Sequence, residues 1–322
     1  MHFRKIKCVM YRYGEEEKLK NILYQLKEPL LIHIDGFTEQ FTLSYFQKQN
    51  IGTTVYKVFD RYQAIEEKTC DFVETIEAIK QNKPYRIFGQ IISRTLSAKI
   101  EKHVPLWQTI PLRPRFFSPF LKVIYFFGGK GSASFIHYDR EHCTNLHLCL
   151  SGKKQILLFT EDQSDYLYKV PYVGNSLIDF SQPIEKLEQQ YPRLKQAIGY
   201  RVNLNVGDML FMPKNCWHYT QYLDASSSAT YVFYPKKYLH FYGYFTGYFY
   251  LGYKLKAFPG NLSERLVFKK FNHAYANATG WKKNSLKFVE LSTYLFLLPI
   301  VSIGSIFLFK IKRWAGKNQG SS

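Results

Sequence analysis

The sequence predicts a mainly β domain with flanking helices, followed by a transmembrane helix near its C-terminal end. Three observations support this fold class. Short apolar runs separated by tight turns follow residue 121, apolar residues recur at helical spacing before residue 82, and residues 291–309 carry no charge. The chain has 322 residues, 46% hydrophobic and 18% aromatic, which excludes a disordered or low-complexity protein.

The N-terminal part, residues 1–82, mixes helix and strand signals. Apolar residues recur at helical spacing over three segments, residues 15–26, 43–49 and 72–81. The apolar run at residues 30–34 is typical of a strand that ends at the Gly36 turn. No proline-rich or Gly-Ser linker interrupts the first 235 residues, so we expect one continuous domain there.

The strands predicted after residue 121 are short and end at glycines. The first, residues 123–127, runs into Gly128 and Gly129. Two pairs of runs then meet at turns: residues 146–150 and 155–159 around Gly152, and residues 200–204 and 209–212 around Gly207. We interpret each pair as a β-hairpin and the set as a barrel or sandwich.

The uncharged residues 291–309 are typical of a membrane span. At about 1.5 Å per residue they reach roughly the 30 Å thickness of the hydrocarbon layer, and a basic tail, residues 310–322, follows. A buried core helix is the alternative. Lysines on both sides nearly balance, so the positive-inside rule leaves the orientation undetermined.

Residues 236–290, between domain and span, are predicted to be an aromatic and basic membrane-proximal helical region. Its tyrosine-rich stretch, residues 238–253, is followed by lysines. Tyrosine rings beside cations suit the headgroup level, so we expect this stretch to contact an anionic membrane surface. A packed helix or a homodimer contact is the alternative.

The net charge indicates which class of partner the chain binds, and the cysteines indicate its cellular compartment. The chain has 44 Lys plus Arg against 25 Asp plus Glu, a net charge of +19, which favours an anionic partner. Nucleic acid fits this charge, but the span favours anionic lipid. Five scattered cysteines and a charged start without an apolar signal region indicate that the main domain lies on the cytoplasmic side.

A candidate metal site lies among the predicted strands. His137 and Asp139 are two residues apart, so a strand projects both to one face. His218 follows the Gly207 turn. Two imidazoles and one carboxylate leave open positions on non-haem Fe(II). A zinc site is the alternative, since six residues supply N or S donors: His137, His142, Cys143, His147, Cys149 and His218.

The residues around these ligands carry a family resemblance. The stretches GGKGSASFIHYD, NLHLCLSGKKQILLF and NVGDMLFMPKNCWHY, in that order, resemble the JmjC-type, cupin-like oxygenases. The resemblance runs over about residues 83–233. It implies a double-stranded β-helix (cupin or jelly-roll) core at residues 83–235, and a 2-oxoglutarate-dependent dioxygenase whose Fe(II) is bound by His137, Asp139 and His218. The cosubstrate 2-oxoglutarate would be converted to succinate.

Lys154 is the clearest candidate for binding the cosubstrate. It shares strand parity with Ile156 and Leu158 and therefore points to the interior, where an ammonium needs an anion; snorkelling to solvent is the alternative. By resemblance, Lys154 binds the distal carboxylate of 2-oxoglutarate. The resemblance also assigns three further residues to the cosubstrate: Ser134, Asn145 and Tyr85. For Tyr85, a core position is the alternative.

Two features depart from the family pattern. The loop between Asp139 and Asn145 is about two residues longer than usual, which affects the local geometry. Phe233 stands near a position where some relatives carry asparagine, so one polar contact to the cosubstrate is expected to be missing.

The substrate stays open among protein, lipid and small molecule. Two other functions fit the sequence: a non-catalytic cupin-like membrane-bound binding module and an RNA- or ribosome-directed hydroxylase. The combination of the three ligands with Lys154 favours an enzyme.

Overall fold

Two β-sheets form the centre of the molecule. The computed structural model describes residues 1–60, 63–110, 123–172, 174–254 and 266–319. The strands are β1 (His2–Arg4), β2 (Lys7–Tyr11), β3 (Leu30–Ile34), β4 (Thr53–Asp60), β5 (Gln63–Asp71), β6 (Arg86–Gln90), β7 (Val123–Gly128), β8 (Thr144–Ser151), β9 (Lys154–Phe159), β10 (Ile198–Leu204), β11 (Asp208–Met212), β12 (Trp217–Tyr222) and β13 (Ser226–Phe233). The larger sheet has the order β2-β3-β11-β8-β13-β7-β6-β4-β5, and the smaller β1-β10-β9-β12.

Helices cover the sheets and form the C-terminal part. They are α1 (Glu16–Gln25), α2 (Leu43–Gln47), α3 (Phe72–Lys80), α4 (Arg94–Glu101), α5 (Leu106–Thr109), α6 (Ile184–Gln190), α7 (Lys237–Lys254), α8 (Leu266–Asn277) and α9 (Gly280–Gln319). Helices α2, α3 and α4 begin at side-chain caps, Thr42, Asp71 and Ser93, which accept backbone N–H groups of the first turn. The predicted mainly β fold with flanking helices is confirmed.

Both predicted hairpins are wrong. Strand β8 pairs with β11 and β13, whereas β9 pairs with β10 and β12 in the other sheet. The Gly152 turn therefore carries the chain from one sheet to the other, and the Gly207 turn does the same between β10 and β11. Both glycines have positive φ, +70° and +83°, which permits these tight connections. Repeated crossing between two sheets is the double-stranded β-helix.

The alternation along β8 divides the core. Leu146, Leu148 and Leu150 point toward the N-terminal helices and join the larger hydrophobic cluster. Cys149, on the other face, joins a cluster between the sheets that includes Ile156. Strand β8 is consequently buried along its whole length, and its inward positions define the interior in which the site lies.

The N-terminal predictions agree with the structure except at their ends. Residues 30–34 form β3, and the three predicted helices correspond to α1, α2 and α3. The long β4–β5 pair was not predicted. Parts of the predicted segments lie outside the described residues: 61–62 in the N-terminal part, 111–122 and 173 in the core, 255–265 in the membrane-proximal region and 320–322 in the tail.

The C-terminal helices pack on one another. Helix α9 contains the predicted span, and its Gly280–Leu308 part is long and apolar enough, by length and composition, to cross a bilayer. Helix α7 contains the tyrosine-rich stretch and packs along α9: the Phe249 and Tyr294 ring centroids are 5.1 Å apart.

Candidate metal centre

The three side chains proposed as metal ligands come together in the structure. A backbone bridge pairs His137 with His218 of β12, and Asp139 lies two residues further along the chain. One donor atom from each residue lies within 4.8 Å of the other two. The two imidazole centroids are 4.2 Å apart, and His137 Nε2 lies 3.9 Å from Asp139 Oδ1. Donor atoms that share one ion at bond lengths of about 2 Å lie no more than about 4 Å apart, so a small inward movement of these side chains brings all three onto one ion.

Backbone carbonyl groups orient both imidazole rings. His137 Nδ1 lies 2.9 Å from the Phe135 carbonyl oxygen, and His218 Nδ1 lies 3.1 Å from that of Cys216. Because a carbonyl only accepts, each Nδ1 carries the proton and each Nε2 is left as the metal-binding atom. Burial, reinforced by the nearby His218, lowers the pKa of His137 to about 3. This ring is therefore neutral at physiological pH, as metal binding requires.

Asn145 contacts the proposed carboxylate ligand. Its amide nitrogen donates a hydrogen bond to Asp139 Oδ2, and the Cys143 Sγ lies 4.0 Å from the same oxygen. The sequence predicted Asn145 beside the cosubstrate. In the structure it lies on the inner face of β8 at the metal end, where it orients Asp139.

Lys154 is fully buried, with 0% exposure, so it does not snorkel to solvent. The partners that the described residues give its ammonium group are uncharged: the Ser228 hydroxyl and the Tyr222 ring, whose centroid is 4.3 Å away. A buried cation with neutral partners is unfavourable unless an anion joins it. An anion bound beside Lys154 would therefore stabilise its ammonium group.

Ser134 and Arg86 line the same interior. Ser134 pairs with Thr220, an inward residue of β12, and its hydroxyl oxygen accepts the Thr220 N–H at 2.8 Å, which leaves the hydroxyl hydrogen to donate. Arg86 is buried and donates to the Ala133 carbonyl oxygen at 3.2 Å. The sequence analysis missed Arg86, although it directly follows Tyr85.

Two other residues that the sequence placed near the cosubstrate lie away from the three ligands in the structure. Tyr85 stacks on Tyr56 with ring centroids 4.1 Å apart, so it packs with the β4–β5 pair rather than with the three ligands. Phe233 points into the larger hydrophobic cluster and stacks on Tyr24. Its neighbour Val232 is the residue paired with Asn145, so the position of Phe233 does not face the site.

The long loop after Asp139 packs against the C-terminal helices. His142 has a positive φ of 52°, its Nδ1 contacts the Asn215 amide oxygen, and its ring lies 5.0 Å from that of Tyr242 in α7. The Glu141 carbonyl oxygen accepts the hydroxyl of Tyr234 at 2.8 Å. The extra length thus joins the proposed metal ligand to α7.

His147 is a further inward residue that the sequence analysis used only for the zinc alternative. It lies two residues after Asn145 on β8, and its Nδ1 is 2.7 Å from the Thr230 hydroxyl oxygen. Because side chains alternate along a strand and Asn145 points inward, His147 also points inward. Within the described residues, His137, Asp139 and His218 form the group with metal-binding spacing, and the additional donors of the zinc alternative do not join it.

The fold and the site together define the JmjC-type cupin class, a double-stranded β-helix with two histidines and one aspartate converging at its edge. Residues 31–240 match the family described as Cupin-like domain, and the chain belongs to this family.

Named relatives match the chain over shorter stretches. HSPB1-associated protein 1 of Rattus norvegicus is 29% identical over 99 residues, which are 30% of this chain and 20% of that protein. JmjC domain-containing protein D of Dictyostelium discoideum is 30% identical over 105 residues, 31% and 22% of the two chains. Lysine-specific demethylase 8 of Xenopus tropicalis is 32% identical over 107 residues, 33% and 23%. The matches thus span about a fifth of each relative.

Proposed function

We propose that this chain is an Fe(II)- and 2-oxoglutarate-dependent oxygenase attached to a membrane by its C-terminal helices, with the catalytic domain on the cytoplasmic side. One observation carries the proposal: three metal-binding side chains converge in the same barrel that buries the cation Lys154 among uncharged partners. Such a cation is unfavourable in a barrel that binds no anion.

The donor set fits Fe(II), for which two imidazoles and one carboxylate are a common facial triad. His137, Asp139 and His218 would hold the ion, and Asn145 would keep the carboxylate in position. When bound, the iron supplies dioxygen activation coupled to oxidation of the keto acid, which gives succinate, carbon dioxide and a hydroxylated product.

The remaining inward groups would bind and orient the cosubstrate. Lys154 would pair with the carboxylate far from the metal, and the Ser134 hydroxyl would donate a hydrogen bond to it. Arg86 adds a second buried cation, which favours a dianion over a neutral ligand. The apolar cluster between the sheets closes the barrel behind these groups and excludes water.

The substrate class stays open. The relative named lysine-specific demethylase 8 matches 33% of this chain and 23% of its own length. We therefore do not assign the substrate in its name to this chain. The experiment below therefore also distinguishes the membrane-bound binding module and the RNA-directed hydroxylase.

The test is turnover of the full chain, loaded with Fe(II) in detergent or nanodiscs and supplied with 2-oxoglutarate and oxygen. Succinate is measured alone and with membrane extract, protein or RNA fractions. We expect one fraction to stimulate succinate formation, and an RNA fraction that does so identifies the RNA-directed hydroxylase. Cosubstrate binding with no turnover in any fraction identifies the binding module and contradicts the oxygenase.

A further inference from the structure

Helix α9 is tied to the catalytic domain before the apolar segment begins. Lys283 and Lys287 pair with Asp165, at 3.5 Å and 2.7 Å. Glu290 pairs with Lys169 at 2.8 Å, and both side chains are about 85% buried. Ion pairs buried to this degree fix the first turns of α9 on the domain, because separating them leaves charges without partners.

The attachment continues along the apolar segment. The Arg140 guanidinium lies 5.1 Å from the centroid of the Tyr294 ring. One turn from the end of the predicted span, Ile306 packs against the cluster that Cys143 and Tyr234 of the domain form with Tyr248 of α7. From Tyr294 to Ile306 the helix rises about 18 Å at 1.5 Å per residue. The domain together with α7 thus lies beside more than half of the length that a span needs.

A span that kept these contacts would place the domain inside the hydrocarbon layer. The loop that carries Arg140 and Cys143 is irregular backbone, which membranes tolerate only where protein or water surrounds it. A charged side chain at that depth is also unfavourable. Crossing the bilayer therefore requires α9 to leave the domain, whereas lying along the membrane surface does not.

The face of α9 turned away from the domain is apolar and exposed. Its large side chains recur at helical spacing: Trp281, Phe288, Leu295, Phe296, Ile300, Ile303 and Phe307, which we call the outer stripe. Trp281 and Phe296 are 81% and 70% exposed. On α7, Tyr238 and Phe241 are also exposed, next to the exposed Lys236 and Lys237. Aromatic residues beside cations are typical of helices in the interface of an anionic bilayer.

We propose that α9 lies in the plane of the membrane, with the outer stripe in one leaflet of an anionic bilayer, and does not span it. This inference rests on the membrane attachment in the proposed function and not on the oxygenase chemistry. It keeps the metal centre close to the lipid, because Cys143 touches both the Ile306 cluster and, at 4.0 Å, the carboxylate of Asp139.

The first test locates the two ends of the full chain in sealed inverted membrane vesicles, whose cytoplasmic face is outward. A tag is appended after Ser322, and the exposed native Cys8 reports the domain through an impermeant maleimide. We expect protease to remove the tag and maleimide to label Cys8 from the same side without detergent. Protection of only one of the two contradicts the in-plane arrangement, and the Cys8→Ser variant shows that labelling is specific.

The second test measures flotation with anionic vesicles. Replacing Phe288, Phe296 and Phe307 by glutamate should reduce the bound fraction at least about tenfold, because charges oppose insertion of the stripe. The control replaces exposed apolar residues elsewhere, Ile22 and Val73, by glutamate. Unchanged flotation of the stripe variant contradicts the proposal, and its Mn(II) affinity checks that the domain is folded. Flotation and accessibility do not depend on catalytic activity. Failure of the oxygenase proposal is therefore distinguishable from failure of the in-plane arrangement.

A separate observation concerns His147. The residue is only 8% exposed, and its Nε2 has no hydrogen-bond partner among the described residues. Its other nitrogen contacts Thr230, which lies two residues from Ser228, the partner of Lys154, on the same face of β13. A buried nitrogen left without a hydrogen-bond partner is unfavourable.

We infer that His147 Nε2 hydrogen-bonds a carboxylate oxygen of the cosubstrate and acts beside Lys154 as a positioning residue. This inference depends on the proposed function. Thr230 can donate to Nδ1, which leaves the hydrogen on Nε2 to point at an anion. Neutral imidazole is sufficient for this role.

The test is the dissociation constant of 2-oxoglutarate for the Mn(II)-loaded full chain, measured by calorimetry. We expect His147→Leu to weaken binding about 10- to 100-fold, and His147→Gln, which retains an N–H donor, to remain within a few-fold of wild type. Equal affinity of the leucine variant contradicts the inference. If that variant does not fold, an affinity of the glutamine variant as weak as that of Lys154→Met also contradicts it. A wild-type chain that binds no 2-oxoglutarate contradicts the proposed function instead.

Discussion

The His218→Ala variant is expected to lose its metal ion. The substitution removes one of three donors and leaves His137 and Asp139, which cannot complete a facial site. Because changes in the groups that merely orient ligands cost 10- to 100-fold in metal affinity, loss of a ligand should cost more than about 100-fold. Titration with Mn(II), followed by electron paramagnetic resonance of the free ion, measures this affinity.

An exposed histidine supplies the matched control. His273 lies on α8, where its carbonyl oxygen accepts a hydrogen bond from Asn277. The His273→Ala variant should bind one Mn(II) with wild-type affinity. Equal affinities of the His218 and His273 variants would show that the three side chains do not form the metal site.

The Lys154→Met variant is expected to lose affinity for 2-oxoglutarate and to keep its metal ion. Removing one partner of a buried charge pair is unfavourable by about 3–5 kcal/mol, which corresponds to a dissociation constant roughly 150- to 4,000-fold larger. The stability of the ligand-free protein should not fall, because the substitution removes a buried charge whose partners, the Ser228 hydroxyl and the Tyr222 ring, are uncharged. Calorimetry of the Mn(II)-loaded chain and thermal unfolding measure the two effects.

The adjacent lysine is the control for this variant. Lys153 precedes β9 and is partly exposed, unlike Lys154. Lys153→Met makes the same chemical change one residue away and should leave cosubstrate affinity unchanged. If both methionine variants bind 2-oxoglutarate like wild type, the ammonium group of Lys154 has another role.

Strand positions could be read from the sequence, but strand partners could not. The alternation along residues 200–204 identified β10, yet a period of two fixes only which face a side chain joins. The short turn at Gly152 is compatible with a hairpin and with a crossing between two sheets. Only the long-range pairing of β8 with β13, contributed from far along the chain, distinguishes the two.

The candidate site was more predictable than the pairing. His137 and Asp139 were expected on one face of a strand, and they do converge with His218, but the structure has only an isolated bridge at His137 and no strand there. Strand parity correctly predicted the burial of Lys154. Arg86 was missed because its direction depends on the pairing of β6 with β7, which no local pattern specifies. Tyr85, its neighbour, was assigned by resemblance, and the structure stacks it on Tyr56.

Composition also predicted the apolar helix, but not whether that helix spans a membrane or lies on the domain. Nothing in the uncharged run distinguishes a span from a helix that lies on the domain, since both need apolar side chains. The contacts of Glu290 and Tyr294 with the β-sheet domain favour the second arrangement, and they join residues more than 100 positions apart.

The most direct measurement of the central claim is the visible absorption of the Fe(II)-loaded chain during anaerobic titration with 2-oxoglutarate. A keto acid that chelates ferrous iron gives a charge-transfer band, so the band reports cosubstrate bound at the metal, and its dependence on Lys154 shows whether that residue binds the same molecule. The account predicts a band that saturates at one equivalent, is absent in His218→Ala and needs far more ligand in Lys154→Met. A wild-type chain that binds Fe(II) but develops no band at any concentration would contradict it.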